Sequence, residues 1–205
     1  MANGSSRCPT LGIAGGVGAG KSSVAAILAE LGCFVADSDA LSRESFGDPA
    51  VRDEIVSWWG SGVLEGGEID RGEVARIVFS RPDQRRRLES LVHPWIETRR
   101  RKLFEQAPPD TRALVIDAPL LFEAGLEREC DAVIFVETDP ARRLARLTSS
   151  RGWDEAQWKK REESQLSLDD KRARSDYVVI NNGDLDKLTE QIRRILNELT
   201  QPRRS

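Results

Sequence analysis

The amino-acid sequence predicts an α/β protein built on a parallel, five-stranded sheet with helices on both faces. Five short apolar segments lack the alternation of apolar and polar residues that marks a half-exposed strand, so each is expected to be buried on both sides. The predicted strands are residues 10–14, 33–36, 113–116, 132–136 and 177–180. Stretches with the 3.6-residue apolar spacing of a helix separate them, and this order is typical of a parallel sheet.

The predicted helical stretches differ in length and charge. The first begins at Lys21 and is expected to end at Gly32, because glycine commonly terminates a helix. Strand signals nearly vanish across residues 46–106, and Pro94 is expected to start a new helix there, since proline is tolerated in a first turn. A second charged, helical stretch covers about residues 141–174.

Composition excludes several classes of protein. The 205 residues carry a net charge of −3 and the pI is about 5.5, so the chain as a whole does not attract nucleic acid. No apolar run approaches the roughly 20 residues needed to cross a membrane, and Met1–Pro9 lacks the apolar segment of a secretory signal. Three widely spaced cysteines fit a reducing compartment. We expect a cytoplasmic protein, a monomer or weak homo-oligomer, that binds neither nucleic acid nor membranes.

A glycine-rich motif follows the first predicted strand and opens the first predicted helix. Residues 15–22 read Gly-Gly-Val-Gly-Ala-Gly-Lys-Ser and satisfy the P-loop pattern G-x-x-x-x-G-K-[ST]. The glycines let backbone N–H groups point at phosphate oxygens, and the helix N-terminus adds partial positive charge. Lys21 would reach the β- and γ-phosphates, and the Ser22 hydroxyl would bind Mg²⁺. The fold is therefore expected to be of the P-loop NTPase type, with ATP and Mg²⁺ as cofactors.

Three aspartates follow predicted strands at the edge of the sheet where a phosphate ligand would lie. Ligands of an open parallel sheet bind beyond the carboxyl ends of the strands. Asp37 and Asp39 follow the second strand, and Asp117 closes the third. Such a carboxylate can accept the proton of an acceptor hydroxyl or help to hold Mg²⁺. We expect Asp39 to be the base, whereas Asp37 and Asp117 could cap helices or join Ser22 in a metal site.

Further motifs resemble those of the dephospho-CoA kinase family and occur in the family's order. The similarity covers about residues 11–196. Besides the P-loop it rests on Val35–Asp39 with Arg43, and on Ile69–Arg71, Leu91–Pro94, Pro119–Glu123 and Ser175–Gly183. The His-Pro and Pro-Leu-Leu-Phe-Glu elements are much more specific than the P-loop, which many kinases share.

This resemblance implies transfer of the ATP γ-phosphoryl group to the ribose 3′-hydroxyl of dephospho-CoA. Asp39 would be the catalytic base. Lys21, with Arg146 and Arg151 of the lid, would neutralise charge in the transition state. The residues implied to bind ATP are Gly16, Gly18, Ala19, Gly20, Lys21, Ser22, Ser23 and Asn182. Those implied to bind the acceptor are Asp39, Arg43, His93 and Leu120.

The expected organisation is a single kinase domain over residues 1–205. Its nucleotide-binding core would comprise about 10–40, 111–147 and 175–200, its helical acceptor-binding region about 41–110, and its lid about 148–172.

Departures from the family pattern and two rival functions bear on these expectations. Ser23 replaces a common threonine but keeps a hydroxyl, and Arg151-Gly152-Trp153 stands where the family's lid would carry Arg-Asp or a similar polar pair. One alternative is a P-loop kinase of a nucleoside or nucleoside monophosphate, which acceptor preference would reveal. The other is a nucleotide-dependent switch, which slow ATP turnover independent of any acceptor would reveal.

Overall fold

The computed structural model describes residues 8–201. The expectation that Met1–Pro9 is not a secretory signal therefore falls mostly outside the described residues. The strands are β1 Thr10–Gly15, β2 Phe34–Asp37, β3 Leu64–Glu65, β4 Glu68–Ile69, β5 Leu114–Asp117, β6 Ala132–Glu137 and β7 Tyr177–Ile180. The helices are α1 Lys21–Glu30, α2 Ser38–Ser45, α3 Pro49–Trp59, α4 Arg71–Ser80, α5 Pro82–Glu105, α6 Pro140–Arg151, α7 Glu155–Glu163, α8 Leu168–Ala173 and α9 Leu185–Thr200.

The chain forms two compact units. Of the residues described, the core unit contains those up to Asp37 and those from Ala107 onward, and the helical unit is Ser38–Gln106. None of the helices described combines length and apolarity to the degree that crossing a bilayer requires.

The core unit is organised around the predicted parallel sheet, which the structure confirms. The strand order is β2-β5-β1-β6-β7, and each neighbouring pair is parallel. The central strand β1 is buried along its whole length, in line with its lack of polar alternation. Helices α1 and α9 cover the sheet, and Leu188, Ile192 and Leu196 of α9 are fully buried in the same apolar cluster as Ile13. Because every strand runs the same way, the carboxyl ends of all five meet at one edge.

The helical unit has an apolar core of its own, built mainly from its four helices. Its buried members are Leu41, Val51, Ile55, Val63, Ile69, Val74, Val92 and Ile96. Helix α3 begins with the side chain of Asp48 accepting from the N–H groups of Ala50 and Val51, and α4 begins in the same way at Asp70.

The expectation that Pro94 starts a helix was wrong. Pro94 lies inside α5, which runs unbroken for 24 residues. Proline removes one helical hydrogen bond, but the residues around it are anchored. Val92 and Ile96 are buried in the core of the helical unit, and Trp95 Nε1 donates to Asp48 Oδ2 at 2.9 Å. Tertiary packing therefore keeps the helix continuous.

A short hairpin interrupts the region where strand signals nearly vanish. Strands β3 and β4 pair antiparallel over two residues each. Gly66 and Gly67 connect them with φ values of 60° and 89°, the left-handed conformation that a two-residue hairpin turn requires. Two-residue strands are too short to show alternation, so the glycine pair was the signal that could have found them.

Candidate active site

The P-loop motif forms the turn between β1 and α1, at the carboxyl edge of the sheet. β1 ends at Gly15 and α1 begins at Lys21. Gly18 and Gly20 have φ values of 79° and 85°, a left-handed conformation that glycine adopts without a steric cost. The sequence therefore produces the curled backbone that allows consecutive N–H groups to face an anion.

The loop is held from outside through one carbonyl group. The Ala19 oxygen accepts from Thr138 Oγ1 at 2.8 Å, from Asn181 Nδ2 at 2.9 Å and from Arg146 Nη1 at 3.1 Å. Thr138 follows β6 and Asn181 follows β7, so the two neighbouring strand ends both contribute. Three donors on one acceptor fix this part of the loop before any ligand binds.

Lys21 lies folded over the loop, and the two serines after it are exposed. Its Nζ atom donates to the carbonyl oxygens of Gly15 at 3.2 Å and Gly16 at 3.3 Å. Ser22 and Ser23 are in the first turn of α1. The ammonium group and both hydroxyls are thus at the N-terminal end of a helix, where the helix dipole favours anions.

The two predicted lid arginines occupy different environments. Arg146 Nη2 donates to the backbone oxygen of Asn181 at 3.0 Å, while its Nη1 holds the Ala19 oxygen. Arg151 is exposed at the end of α6, and its guanidinium carbon lies 5.4 Å from the centre of the Trp153 ring. The structure therefore brings Arg146, but not Arg151, to the phosphate loop.

Asn182 is engaged with α6, whereas its neighbour holds the loop. The Asn182 side-chain oxygen accepts from the Asp139 N–H at 3.0 Å. The residue at the loop is Asn181, 6% exposed, whose side chain the sequence reasoning missed. Thr138 was missed as well, since a single polar residue after a strand gives no specific signal.

Arg143 is a further residue that sequence reasoning missed. It is 4% exposed, and its guanidinium forms an ion pair with Glu162 of α7 and lies 4.9 Å from the centre of the Trp158 ring. Arg143 precedes Arg146 by three positions on α6, which places both on one helix face. That spacing was the available signal.

Two of the predicted carboxylates end neighbouring strands. Asp37 of β2 and Asp117 of β5 are direct register partners, and Asp117 is also opposite Ile13 of β1. With the Ser22 hydroxyl they offer the oxygen ligands that Mg²⁺ prefers, since this ion usually takes one or two carboxylates together with phosphates and water. Among residues 8–201 no cluster of three or more His, Cys, Asp or Glu residues forms a cage for a metal ion.

The remaining predicted acceptor residues are divided between the two units. Asp39 is exposed in the first turn of α2, and Arg43 is exposed one turn further along the same helix. His93 is exposed on α5. Leu120, 40% exposed, belongs to the core unit, in the loop that follows β5.

The loop after β5 is anchored by a buried ion pair. Lys171 of α8 is 2% exposed, and its Nζ lies 2.9 Å from Glu123 Oε1 and 2.8 Å from Gln165 Oε1. Burial raises the pKa of Glu123, but hydrogen bonds from Lys171 and the Leu166 N–H outweigh it, so this pKa lies below its ordinary value of 4.5. The carboxylate therefore stays ionised at neutral pH.

Comparison with known proteins identifies the family to which this combination of loop and strand ends belongs. The sequence model that describes dephospho-CoA kinase matches residues 9–187. The chain belongs to the dephospho-CoA kinase family. Membership makes it a kinase that transfers phosphate from ATP to an alcohol group, as the resemblance implied.

Individual dephospho-CoA kinases and solved structures agree with this assignment. The dephospho-CoA kinase of Syntrophotalea carbinolica is 40% identical over 186 residues, covering 89% of this chain and 88% of that protein. A Thermus thermophilus protein of known crystal structure has a TM-score of 0.83 at 31% identity, covering 95% of this chain and 99% of its own. The dephospho-CoA kinase of Campylobacter jejuni has a TM-score of 0.69 at 21% identity, covering 93% and 96%, and shares the fold.

Proposed function

We propose that this chain transfers the γ-phosphoryl group of ATP to the ribose 3′-hydroxyl of dephospho-CoA, giving coenzyme A and ADP. The observation that carries the proposal is the family match over residues 9–187, nearly the whole of the chain. The braced phosphate loop supplies the physical basis, because phosphoryl transfer depends mainly on positioning and on stabilising spread negative charge.

The loop backbone from Gly16 to Ser23 is proposed to surround the ATP phosphates. Lys21 would exchange its two carbonyl partners in the loop for β- and γ-phosphate oxygens. Arg146 would keep the Ala19 carbonyl turned outward, so that the N–H groups face the ligand, and would add a positive charge behind the loop. Asn182 and the lid residue Arg151 would contribute further nucleotide contacts.

Ser22, with Asp37 or Asp117, is proposed to hold Mg²⁺. A hydroxyl and two adjacent carboxylates fit this ion, which retains several of its waters in kinase sites. When bound, the ion neutralises charge on the β- and γ-phosphate oxygens.

Asp39 is proposed to accept the proton of the 3′-hydroxyl. It is exposed, and the cationic side chain of Arg43 follows it by four positions, which places the two on one face of α2. Dephospho-CoA carries a diphosphate group, so an exposed cation beside the base suits this acceptor. His93 and Leu120 are proposed as further acceptor contacts.

The substrate assignment is tested with purified protein, Mg·ATP and a panel of acceptors that includes dephospho-CoA, nucleosides and nucleoside monophosphates. Dephospho-CoA should accelerate ADP release strongly, and the product should gain one phosphoryl group at the ribose 3′ position. Much faster phosphorylation of a nucleoside or its monophosphate would contradict the assignment. Slow ATP turnover that no acceptor changes would indicate a nucleotide-dependent switch instead.

The roles of the two neighbouring aspartates are separated by matched variants. Asp39→Asn keeps the shape but loses the proton acceptor, so kcat should fall by about 10²–10⁴ while ATP affinity changes little. For Asp37→Asn the fall in kcat should be smaller. A rise in the Mg²⁺ concentration needed for half-maximal rate in this variant would indicate that Asp37 helps to hold the metal ion. If Asp37→Asn abolishes turnover and Asp39→Asn does not, the base has been assigned to the wrong residue.

A cytoplasmic location, a monomeric or weakly associated state and the lack of nucleic-acid or membrane partners remain predictions. The net charge of −3 supports the lack of nucleic-acid partners, and the three free cysteines support a reducing compartment. Light scattering over a range of protein concentrations tests the state of association.

A further inference from the structure

We propose that Arg143 and Glu162 form a clamp that makes the conformation of the phosphate loop depend on the docking of α7. In this proposal Arg143 is a positioning residue: it contacts the loop rather than the substrate, and it transmits to the loop whether α7 is in place. The inference rests on the proposed nucleotide site, but not on the identity of the acceptor.

The clamp lies directly against the loop. A Cβ atom added to Gly16 would be 2.4 Å from Arg143 Nη1 and 3.0 Å from Glu162 Oε1. A Cβ atom on Gly18 would be 2.9 Å from the Arg143 carbonyl oxygen and 3.0 Å from Leu147 Cγ. Both glycines are thus covered by the clamp or by the α6 backbone that carries it: a side chain on Gly16 would have to displace the clamp side chains, and one on Gly18 would collide with the backbone of α6.

A second contact joins the same helix to the same loop. Val17, between the two covered glycines, is 9% exposed and packs in an apolar cluster with Leu147 and with Trp158 of α7. The Trp158 ring also packs against the Arg143 guanidinium. Undocking of α7 would therefore remove both the anion that pairs with Arg143 and the part of the apolar cover of Val17 that Trp158 provides.

The clamp is not the arrangement that stability alone would favour. Arg143 Nε and Trp158 Nε1 are buried, and neither has a hydrogen-bond partner within the described part of the chain. Burying an unpartnered N–H costs stability, and a buried ion pair is often no more stable than an apolar replacement. A charged pair with an unmet donor beside a phosphate-binding loop is better explained by a requirement of the loop.

The docking of α7 against the phosphate loop and the binding of nucleotide to that loop must then favour each other by the same factor. If the loop binds phosphate better when α7 is docked, bound nucleotide favours the docked helix by the same factor, because the coupling between two equilibria is reciprocal. The lid helix would therefore be ordered by the nucleotide before the acceptor arrives.

The test is a double-mutant cycle on the affinity for Mg·ADP, measured by titration calorimetry without any acceptor. Glu162→Gln, Arg143→Met and the double variant are compared with the wild type. Each single change should weaken binding about tenfold, a size within the range found for residues in contact. The double variant should be no more than about threefold weaker than either single one. Glu155→Gln is the control, because Glu155 pairs with Lys159 on the exposed face of the same helix, at 2.7 Å.

Hydrogen exchange of α7 provides a readout that a merely structural role would not change. Mg·ADP should increase the protection of residues 155–163 in the wild type and in Glu155→Gln, but not in Glu162→Gln. The clamp would be overturned if the two single losses of Mg·ADP affinity multiplied in the double variant. It would also be overturned if Mg·ADP increased the protection of α7 in Glu162→Gln as much as in the wild type. Either result would leave the kinase assignment intact. A wild type that does not bind Mg·ADP would overturn the nucleotide site and the clamp together. Should Arg143→Met fail to fold, the exchange comparison of Glu162→Gln with the wild type decides the question alone.

Discussion

The buried ion pair between Lys171 and Glu123 predicts an unequal response to the loss of its two members. The ammonium is the deeper group, since the side chain of Lys171 is 2% exposed and that of Glu123 is 19% exposed. Glu123→Gln removes the anion and leaves the cation buried among neutral oxygens. Lys171→Met removes the cation and leaves a carboxylate that water can reach and to which the Leu166 N–H still donates at 2.9 Å.

The sizes of the two losses follow from this difference in burial. Breaking a buried pair so that a charge remains uncompensated costs about 3–5 kcal/mol. Because the amide oxygen of the new Gln side chain can still accept a hydrogen bond from Lys171, we expect a loss at the lower end of this range for Glu123→Gln, about 3 kcal/mol. Lys171→Met loses the charged hydrogen bonds to Glu123 and Gln165 but gains apolar contacts, so a loss of about 1–2 kcal/mol is expected. For a chain of this length the melting temperature falls by about 2–4 °C per kcal/mol, which gives about 6–12 °C and 2–8 °C.

Thermal and urea unfolding followed by circular dichroism measure both changes, and pH supplies an internal control. The pKa of Glu123 lies below its ordinary value of 4.5, so its contribution to stability is fully present above that value and is lost as the pH falls through the lower, folded-state pKa. The difference between the wild type and Glu123→Gln should therefore be constant near neutrality and narrow below about pH 4.5. A larger loss for Lys171→Met than for Glu123→Gln would refute the reasoning, because it would mean that the cation does not depend on its partner.

Three further predictions concern the loop and the thiols. Arg146→Ala should lower kcat/KM by about 10²–10³, as expected when a fixed electrostatic group is lost, and Arg151→Ala should lower it less. A larger loss for Arg151→Ala in steady-state kinetics would show that the exposed arginine makes the more important contact. Gly16→Ala should raise KM for ATP about tenfold, the equivalent of about 1.4 kcal/mol of overpacking against Arg143, and an unchanged KM would show that the loop can yield. Burial raises the pKa of Cys33 to about 11, so mass spectrometry should find it unmodified by iodoacetamide at pH 8 in the folded protein, and alkylation as fast as in urea would contradict its burial.

The sequence was sufficient to predict the parallel sheet because its signal is dense and local. Each strand of the sheet is a short apolar run, and helical segments separate β1 from β2, β2 from β5, and β6 from β7. The order β2-β5-β1-β6-β7 depends on pairings between distant residues, such as Thr10 with Leu114, and no local pattern encodes it. Pro94 shows the opposite failure, since its local preference was overruled by the packing of Val92 and Ile96.

The candidate site likewise contains residues that the sequence predicted and residues that it did not. The residues inside the loop were predicted because the P-loop pattern specifies Gly15, Gly20, Lys21 and Ser22 and the spacing between them. Arg146, which helps to hold the loop from outside, was predicted, whereas Thr138 and Arg143 belong to no contiguous motif and Asn181 was not singled out within Ser175–Gly183. Thr138 and Asn181 are distant from the loop in sequence and reach it because β6 and β7 end at the same edge of the sheet. A sequence motif therefore identifies the phosphate loop more completely than it identifies the residues that support it.

The carbonyl group of Ala19 accepts three hydrogen bonds, and these polarise the peptide unit to which it belongs. A carbonyl that accepts hydrogen bonds draws electron density through the amide, and the N–H at the other end of the peptide unit becomes a stronger donor, by about 10–30% per bond. That N–H belongs to Gly20, in the turn that leads into Lys21. Three donors, one of them cationic, therefore polarise a single peptide of the loop. The charge of Arg146 acts on the phosphate side of the loop through the bonds of the backbone as well as through space.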